Sequence, residues 1–128
     1  MKVLALDYGS ARTGVAVSDP TGTLARPLGS VEQASTEDGM RRLVDLVRAE
    51  SPERVVVGLP LTLRGERGAQ AEETERFVET LMRELDVPVE TFDERFTTAL
   101  AGPGGDDDAR AAAHLLTSYL EWWKNRQP

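Results

Sequence analysis

The feature of this sequence that most constrains its fold is the continuous apolar segment RVVVGLP at residues 54–60. A run of this kind is typical of a strand that is buried on both faces, as in a parallel sheet covered by helices. Apolar residues recur at helical spacing on both sides of it, after a helix start at Thr36 and again from Thr74 to Leu85. Because crossovers through helices imply parallel strands, the sequence predicts an α/β fold.

The other segments give the element order β-β-β-α-β-α-β-α. Residues 3–7 and 14–18 resemble two strands joined by a turn, and residues 23–32 a third strand that Pro27 assigns to an edge. Another strand is predicted at 87–92. The helix before it has its apolar face at Thr74, Phe77, Val78, Leu81, Met82 and Leu85. The last helix carries Leu115, Leu116, Tyr119, Leu120 and Trp123 on one face. The opening hairpins imply antiparallel strands, so the predicted sheet is mixed.

Composition excludes several kinds of protein. The 128 residues fit one domain, 1–128, and the absence of cysteine excludes disulfides and thiolate zinc sites. No apolar stretch approaches 18 residues and no signal peptide is evident at Met1 and Lys2, so we expect a soluble, cytoplasmic protein without a membrane partner. The net charge of −7 argues against nucleic-acid binding by global attraction, although a local basic surface could still bind it.

Acidic residues stand at three predicted element ends. Asp7 ends the first strand, in front of Gly9 and Gly14, which would let another backbone come close. Asp93-Glu94 follows a second strand, and the acids at 106–108 precede the last helix. Ligands of open α/β sheets bind outside the carboxyl ends of parallel strands, so these places could converge. A turn role for Asp7 and helix capping for the acids at 106–108 are the structural alternatives.

Carboxylates that converge repel one another, and a divalent cation is the natural way to hold them together. Oxygen ligands without cysteine or histidine nearby favour Mg²⁺ or Mn²⁺ over Zn²⁺. Two such ions about 3.5–4 Å apart form the usual clamp for phosphodiester cleavage. The sequence thus suggests a hydrolytic site for phosphate esters.

Arginines supply the candidate phosphate contacts. Arg64 and Arg67 lie in the loop after the apolar segment, and Arg12 lies in the first turn. Arg95 is equally well interpreted as a partner of Asp93 or as a phosphate contact. His114 is expected to be an ordinary surface or groove residue, and Trp122 and Trp123 to serve packing or an oligomer contact rather than base stacking.

Four segments in order resemble the YqgF family, also called RuvX: LALDYGSARTGVAVSD, VVVGLPLTLRGERGAQA, DERFTT and DDARAAAHLLTSYLE. Its members are described as pre-16S rRNA nucleases and as Holliday junction resolvases. The resemblance implies a ribonuclease H-like fold, with a five-stranded mixed sheet of order 3-2-1-4-5 flanked by helices. It also implies that the catalytic, metal-holding acids are Asp7, Glu94 and Asp108. In this order, the strands ending at Asp7 and Asp93 are separated by one strand and lie about 10 Å apart.

One segment departs from the family. Members usually carry a longer stretch rich in lysine and arginine between DERFTT and the closing helix, whereas residues 99–107 here are short, acidic and rich in glycine. Such a basic stretch could bind the substrate. Its absence lowers the expected affinity for nucleic acid more than it affects the fold.

The leading hypothesis is a Mg²⁺- or Mn²⁺-dependent nuclease acting on structured RNA, with 5′-end processing of pre-16S rRNA in ribosome biogenesis implied by the resemblance. Resolution of four-way DNA junctions is an alternative that needs a dimer, and the choice between monomer and homodimer stays open. A non-catalytic partner in ribosome assembly or transcription is another. ATP-dependent phosphotransfer is disfavoured, because folds of that class need a second Asp-x-Gly domain to close over the nucleotide.

Overall fold

The computed structural model of the chain describes residues 1–61, 64–65, 67–93 and 107–126, and these carry all the elements reported below. The strands are β1 (Val3–Asp7), β2 (Arg12–Ser18), β3 (Ala25–Glu32), β4 (Arg54–Leu59) and β5 (Val89–Asp93). The helices are α1 (Glu37–Glu50), α2 (Ala69–Glu84) and α3 (Asp107–Arg126). Their order along the chain is the predicted β-β-β-α-β-α-β-α.

The five strands form one mixed sheet in the order β3-β2-β1-β4-β5. The opening meander β1-β2-β3 is antiparallel, whereas β1 pairs with β4 and β4 with β5 in parallel. This confirms the predicted order 3-2-1-4-5 and the edge position of β3. Strand β1 is central, and its carboxyl end lies at the same edge of the sheet as those of β4 and β5.

Helices cover both faces of the sheet because residues of the central strands alternate between two cores. Leu4 and Leu6 of β1 pack against α1 and α2, whereas Val3 and Ala5 pack against α3. Helix α3 lies across β1, β2 and β3. The α3 core is filled from that helix by Ala112, Leu115, Leu116, Tyr119 and Leu120. The alternation of side chains along β1 therefore decides whether a residue packs against α1 and α2 or against α3.

Helix α1 begins where its sequence predicts, after Thr36. The Thr36 side chain accepts a hydrogen bond from the Gly39 backbone N–H at 3.1 Å, and Ser51 takes a left-handed conformation, φ 51°, just before Pro52. Such an N-cap satisfies a backbone donor that the first helical turn leaves unpaired.

The predicted apolar face of α2 is wrong at Met82, whose exposed fraction is 54%. At about 100° per residue, Met82 lies about 80° around the helix from Thr74, beyond the stripe that reaches the sheet. The buried residues of α2 are Ala71, Thr74, Phe77, Val78 and Leu81. Strand bounds also differ: β2 starts earlier than predicted, at Arg12, and β5 covers Val89–Asp93 rather than 87–92. Within the described part of the chain, no helix has the length and apolar character needed to cross a membrane.

Candidate active site at the carboxyl edge of the sheet

Asp7 ends the central strand, and the alternation that sends Val3 and Ala5 to the α3 core assigns its side chain to the same face. In the antiparallel pair with β2, Asp7 lies opposite Gly14. On its other side, the parallel register that joins Leu6 to Val57 brings Asp7 beside Gly58 of β4. Asp7 thus has a glycine beside it on each flanking strand.

The first turn of α3 lies directly on Gly14. A Cβ atom built on this glycine would be 1.8 Å from the carbonyl oxygen of Asp108 and 3.1 Å from the backbone nitrogen of Ala109. The close approach anticipated at the glycines after Asp7 is therefore made by the backbone of α3. Because Gly14 is also the sheet partner of Asp7, two of the predicted site acids, Asp7 and Asp108, both adjoin one glycine.

Arg12 reaches the same place from the start of β2. Its Nε donates a hydrogen bond to Oδ2 of Asp108 at 2.8 Å. The pair is accessible, since the side chain of Arg12 is 61% exposed and that of Asp108 is 32% exposed. A residue predicted to contact phosphate is thus ion-paired with a residue predicted to hold a cation.

The loop after β4 leaves the sheet at this edge and carries the other two predicted arginines. Leu61 and Arg67 form an isolated antiparallel bridge that closes the base of the loop. Arg67 is ion-paired with Glu75 of α2, which ties that base to the helix. Arg64 lies in a turn between them and is exposed. Arg64 thus projects from the loop, whereas Arg67 helps to hold it.

The end of β5 lies one strand further from β1. Phe92 pairs with Gly58 and belongs to the α3 core, so alternation assigns Asp93, opposite Leu59, to the other face. Glu94 and Arg95, the remaining predicted site residues, lie outside the described residues. In the ranges that the structure describes, no three acidic or histidine side chains form a group that could hold a metal ion.

A second set of contacts fastens the turn after Asp7 to α2, and sequence reasoning missed it. The Tyr8 ring is stacked on Phe77, with centroids 4.4 Å apart. The Tyr8 hydroxyl donates to Oε2 of Glu73 at 2.5 Å, and the Ser10 hydroxyl donates to the same oxygen at 2.9 Å. Tyr8 follows Leu4 and Leu6 at intervals of two residues, and this alternation could have predicted that its ring faces α1 and α2. No sequence signal identified Glu73 as its partner.

These contacts shift two pKa values in opposite directions. Burial, reinforced by the hydrogen bond to Glu73, raises the pKa of Tyr8. The hydrogen bonds from Tyr8 and Ser10 lower the pKa of Glu73 because they stabilise its carboxylate. A neutral tyrosine and an ionised glutamate therefore hold the turn at neutral pH.

The aromatic residues near the end of α3 serve packing, as predicted. The ring centroids of Trp122 and Phe92 are 5.8 Å apart, and Trp123 is stacked on Tyr119 with centroids 6.3 Å apart. The guanidinium of Arg54 lies over the Trp123 ring, 4.7 Å from its centroid. His114 is half-buried on α3.

The donor chemistry at this edge fits a hard divalent cation. Asp7 and Asp108 contribute carboxylate oxygens, which are the ligands that Mg²⁺ and Mn²⁺ prefer. Because Gly14 has no side chain, the first turn of α3 brings Asp108, whose side chain is 32% exposed, against the strand that pairs with Asp7. This arrangement could bind a cation and place it against a phosphate group.

The family model described as RuvX, Holliday junction resolvase, matches residues 1–122. A protein of Chloroflexus aurantiacus named "Putative pre-16S rRNA nuclease" is 50% identical over 99 residues, which are 77% of this chain and 65% of that protein. The chain thus spans slightly less than two thirds of that relative. A protein of the same name from Sulfurihydrogenibium sp. is 43% identical and is matched over 94% of this chain and 90% of its own length.

Among solved structures, Thermus thermophilus RuvC in complex with a Holliday junction substrate has a TM-score of 0.61. The match covers 98% of this chain and 97% of RuvC at 19% sequence identity. Similarity at this level concerns the fold, which is ribonuclease H-like in both proteins.

Proposed function

The chain belongs to the RuvX family, and from this premise we propose that it is a divalent-cation-dependent nuclease that cleaves phosphodiester bonds of structured RNA. Relatives named for pre-16S rRNA support that precursor as the substrate, and we propose cleavage at its 5′ end during ribosome biogenesis in the cytoplasm. The observation that carries the proposal is that Asp7 and Asp108 both adjoin Gly14, Asp7 as its partner in the sheet and Asp108 through the first turn of α3.

In this proposal, Asp7, Glu94 and Asp108 hold Mg²⁺ or Mn²⁺, with two ions when substrate is present. The bound ions would supply an activated water and charge stabilisation at the leaving oxygen. Asp7 and Asp108 are supported by their position, and Glu94 by the family motif DERFTT.

Four arginines are proposed to contact the phosphates of the substrate: Arg12, Arg64, Arg67 and Arg95. Of the two loop arginines, exposed Arg64 is the better candidate for a nucleic-acid strand, since Arg67 is engaged with Glu75. A guanidinium suits this role because its fork of donors matches phosphate oxygens. The contacts of Tyr8 and Ser10 with Glu73 hold the turn that connects Asp7 to Arg12.

The deciding experiment measures cleavage of an RNA that contains the 5′ region of pre-16S rRNA, with Mg²⁺ or Mn²⁺ and with EDTA. Wild type is expected to cleave it only with the cation, and Asp7→Asn to be inactive because a cation ligand is lost. Asp45→Asn, an exposed carboxylate on α1, is the matched control and should keep full activity. Cleavage by a folded Asp7→Asn variant at the wild-type rate would refute the mechanism.

Resolution of four-way DNA junctions is the second candidate, supported by the description of the matching family model. The same assay therefore includes a four-way DNA junction as a parallel substrate. Resolution needs two paired incisions and hence a dimer, so its measurement is accompanied by the mass of the protein in solution. A strictly monomeric protein would count against this candidate. If neither substrate is cleaved, a non-catalytic role in ribosome assembly or transcription becomes the better proposal.

A further inference from the structure

The contact between Arg12 and Asp108 lies inside the proposed cation site. Arg12 opens β2 two residues before Gly14, and Asp108 lies where α3 rests on that glycine. The hydrogen bond at 2.8 Å uses Nε of the guanidinium. Among the described residues, its Nη groups have no hydrogen-bond partner. The arginine is therefore bound on one side and available on the other.

This ion pair gives Asp108 a positive partner when no metal ion is bound. Asp7 and Asp108 are like charges at one edge of the sheet, and a nearby guanidinium reduces the cost of keeping both ionised. A divalent cation bound at Oδ2 of Asp108 would displace Arg12 from the oxygen that it contacts. The metal ion would also repel the positively charged guanidinium, so Arg12 and the metal ion compete for the carboxylate of Asp108.

We infer that Arg12 is a placeholder for the cation: it competes with the metal ion for Asp108 and turns to the substrate phosphate when the ion binds. This inference rests on the cation site of the proposed function and deepens it. Arg12 is 61% exposed, and exposed ion pairs stabilise a fold only slightly, so its release costs little. Because binding couplings are reciprocal, phosphate bound to Arg12 in turn strengthens cation binding at Asp108.

The test is a calorimetric titration of the whole chain with Mn²⁺, without nucleic acid and at low ionic strength. Arg12→Ala is expected to bind Mn²⁺ about two- to fivefold more tightly than wild type, which is the range that the loss of an exposed competing ion pair allows. The matched control is Arg26→Ala, which removes the same charge from an exposed position paired with Val17, towards the other end of β2. Its Mn²⁺ affinity should equal that of wild type.

Other results overturn the inference. Unchanged affinity in Arg12→Ala would mean that Arg12 does not compete, and weaker affinity would mean that it only holds Asp108 in place for the ion. Arg12→Gln, with folding checked by circular dichroism, replaces the alanine variant if that variant unfolds, and carries the same expectation.

Asp7→Asn separates this inference from the proposed function. If wild type binds no Mn²⁺, or Asp7→Asn binds it as well as wild type does, the cation site is refuted and the inference with it. If Asp7→Asn loses binding while Arg12→Ala behaves like Arg26→Ala, only the inference fails.

Discussion

The carbonyl oxygen of Asp108 lies 1.8 Å from the position that a Cβ atom on Gly14 would occupy. The hydrogen atom of glycine is thus what allows α3 to start against β2. The same glycine is the sheet partner of Asp7, so the contact sets the separation of two proposed metal ligands.

Replacing Gly14 by alanine should therefore displace the start of α3. We expect the Gly14→Ala variant to lose about 1–3 kcal/mol of unfolding free energy, the usual cost of overpacking, and to bind Mn²⁺ more weakly. Urea unfolding and calorimetry measure the two effects. Gly68→Ala is the control, because a Cβ atom there would meet no atom within 4 Å. Equal stability of the two variants would contradict the steric argument.

Glu73 should make the stability of the protein depend on acidic pH. Its pKa is lowered in the folded protein, chiefly by the hydrogen bond from Tyr8. The stabilisation is therefore present above the unfolded-state value of 4.5 and is lost as pH falls through the lower folded-state pKa. Wild type should be more stable than Glu73→Gln at pH 7, and the difference should shrink towards pH 3 in urea unfolding. Glu79→Gln, at an exposed position of α2, should show no comparable trend.

Both tyrosines should lose their hydroxyl protons at higher pH in the folded protein than in the unfolded protein. Burial is the first cause that raises the pKa of both Tyr8 and Tyr119, and a hydrogen bond to a glutamate adds to it in each. The stabilisation is complete below the unfolded-state value of 10.0 and is lost as pH rises through the folded-state pKa values. Absorbance at the tyrosinate band should rise at higher pH in the native protein than in urea. Titration near pH 10 by protein that circular dichroism shows to be folded would contradict this.

Glu90 should couple two residues on the α3 face of the sheet. It accepts a hydrogen bond from the Tyr119 hydroxyl and another from Nη1 of Arg54 at 3.0 Å. Glu90→Ala is expected to cost about 1–3 kcal/mol, because it leaves the hydroxyl of the buried tyrosine and a half-buried guanidinium without this partner.

A double-mutant cycle with Tyr119→Phe tests this coupling, since residues that share one network are not additive. Additive losses would show that Glu90 and Tyr119 act independently. Glu121→Ala, at an exposed position of α3, serves as the control for removing a carboxylate and should change stability little.

Much of the fold was predictable because its signals are local. The apolar run in β4, the cap at Thr36 and the Pro27 interruption each specify a position in the sheet or a helix start, and the structure agrees with all three. Met82 was assigned wrongly because apolar character alone does not decide which edge of a helix reaches the core.

The site was less predictable, because contacts between distant segments create it. Sequence patterns suggested that Asp7 and Asp108 converge and that a backbone approaches the glycines after Asp7. They did not indicate that Asp108 itself makes this approach, nor that Arg12 pairs with it. The Glu73 contacts were missed for the same reason, since one exposed-looking glutamate on α2 is indistinguishable from its neighbours until the turn packs against it.

The packing of α3 on Gly14 also bears on the order in which parts of the chain can fold. During translation, the hairpin that bears Asp7 emerges from the ribosome long before the helix that bears Asp108. All five described strands precede α3 along the chain, so the sheet can form before Asp108 is placed against Gly14. The two acids proposed to hold the cation would then come together only when α3 docks on the completed sheet.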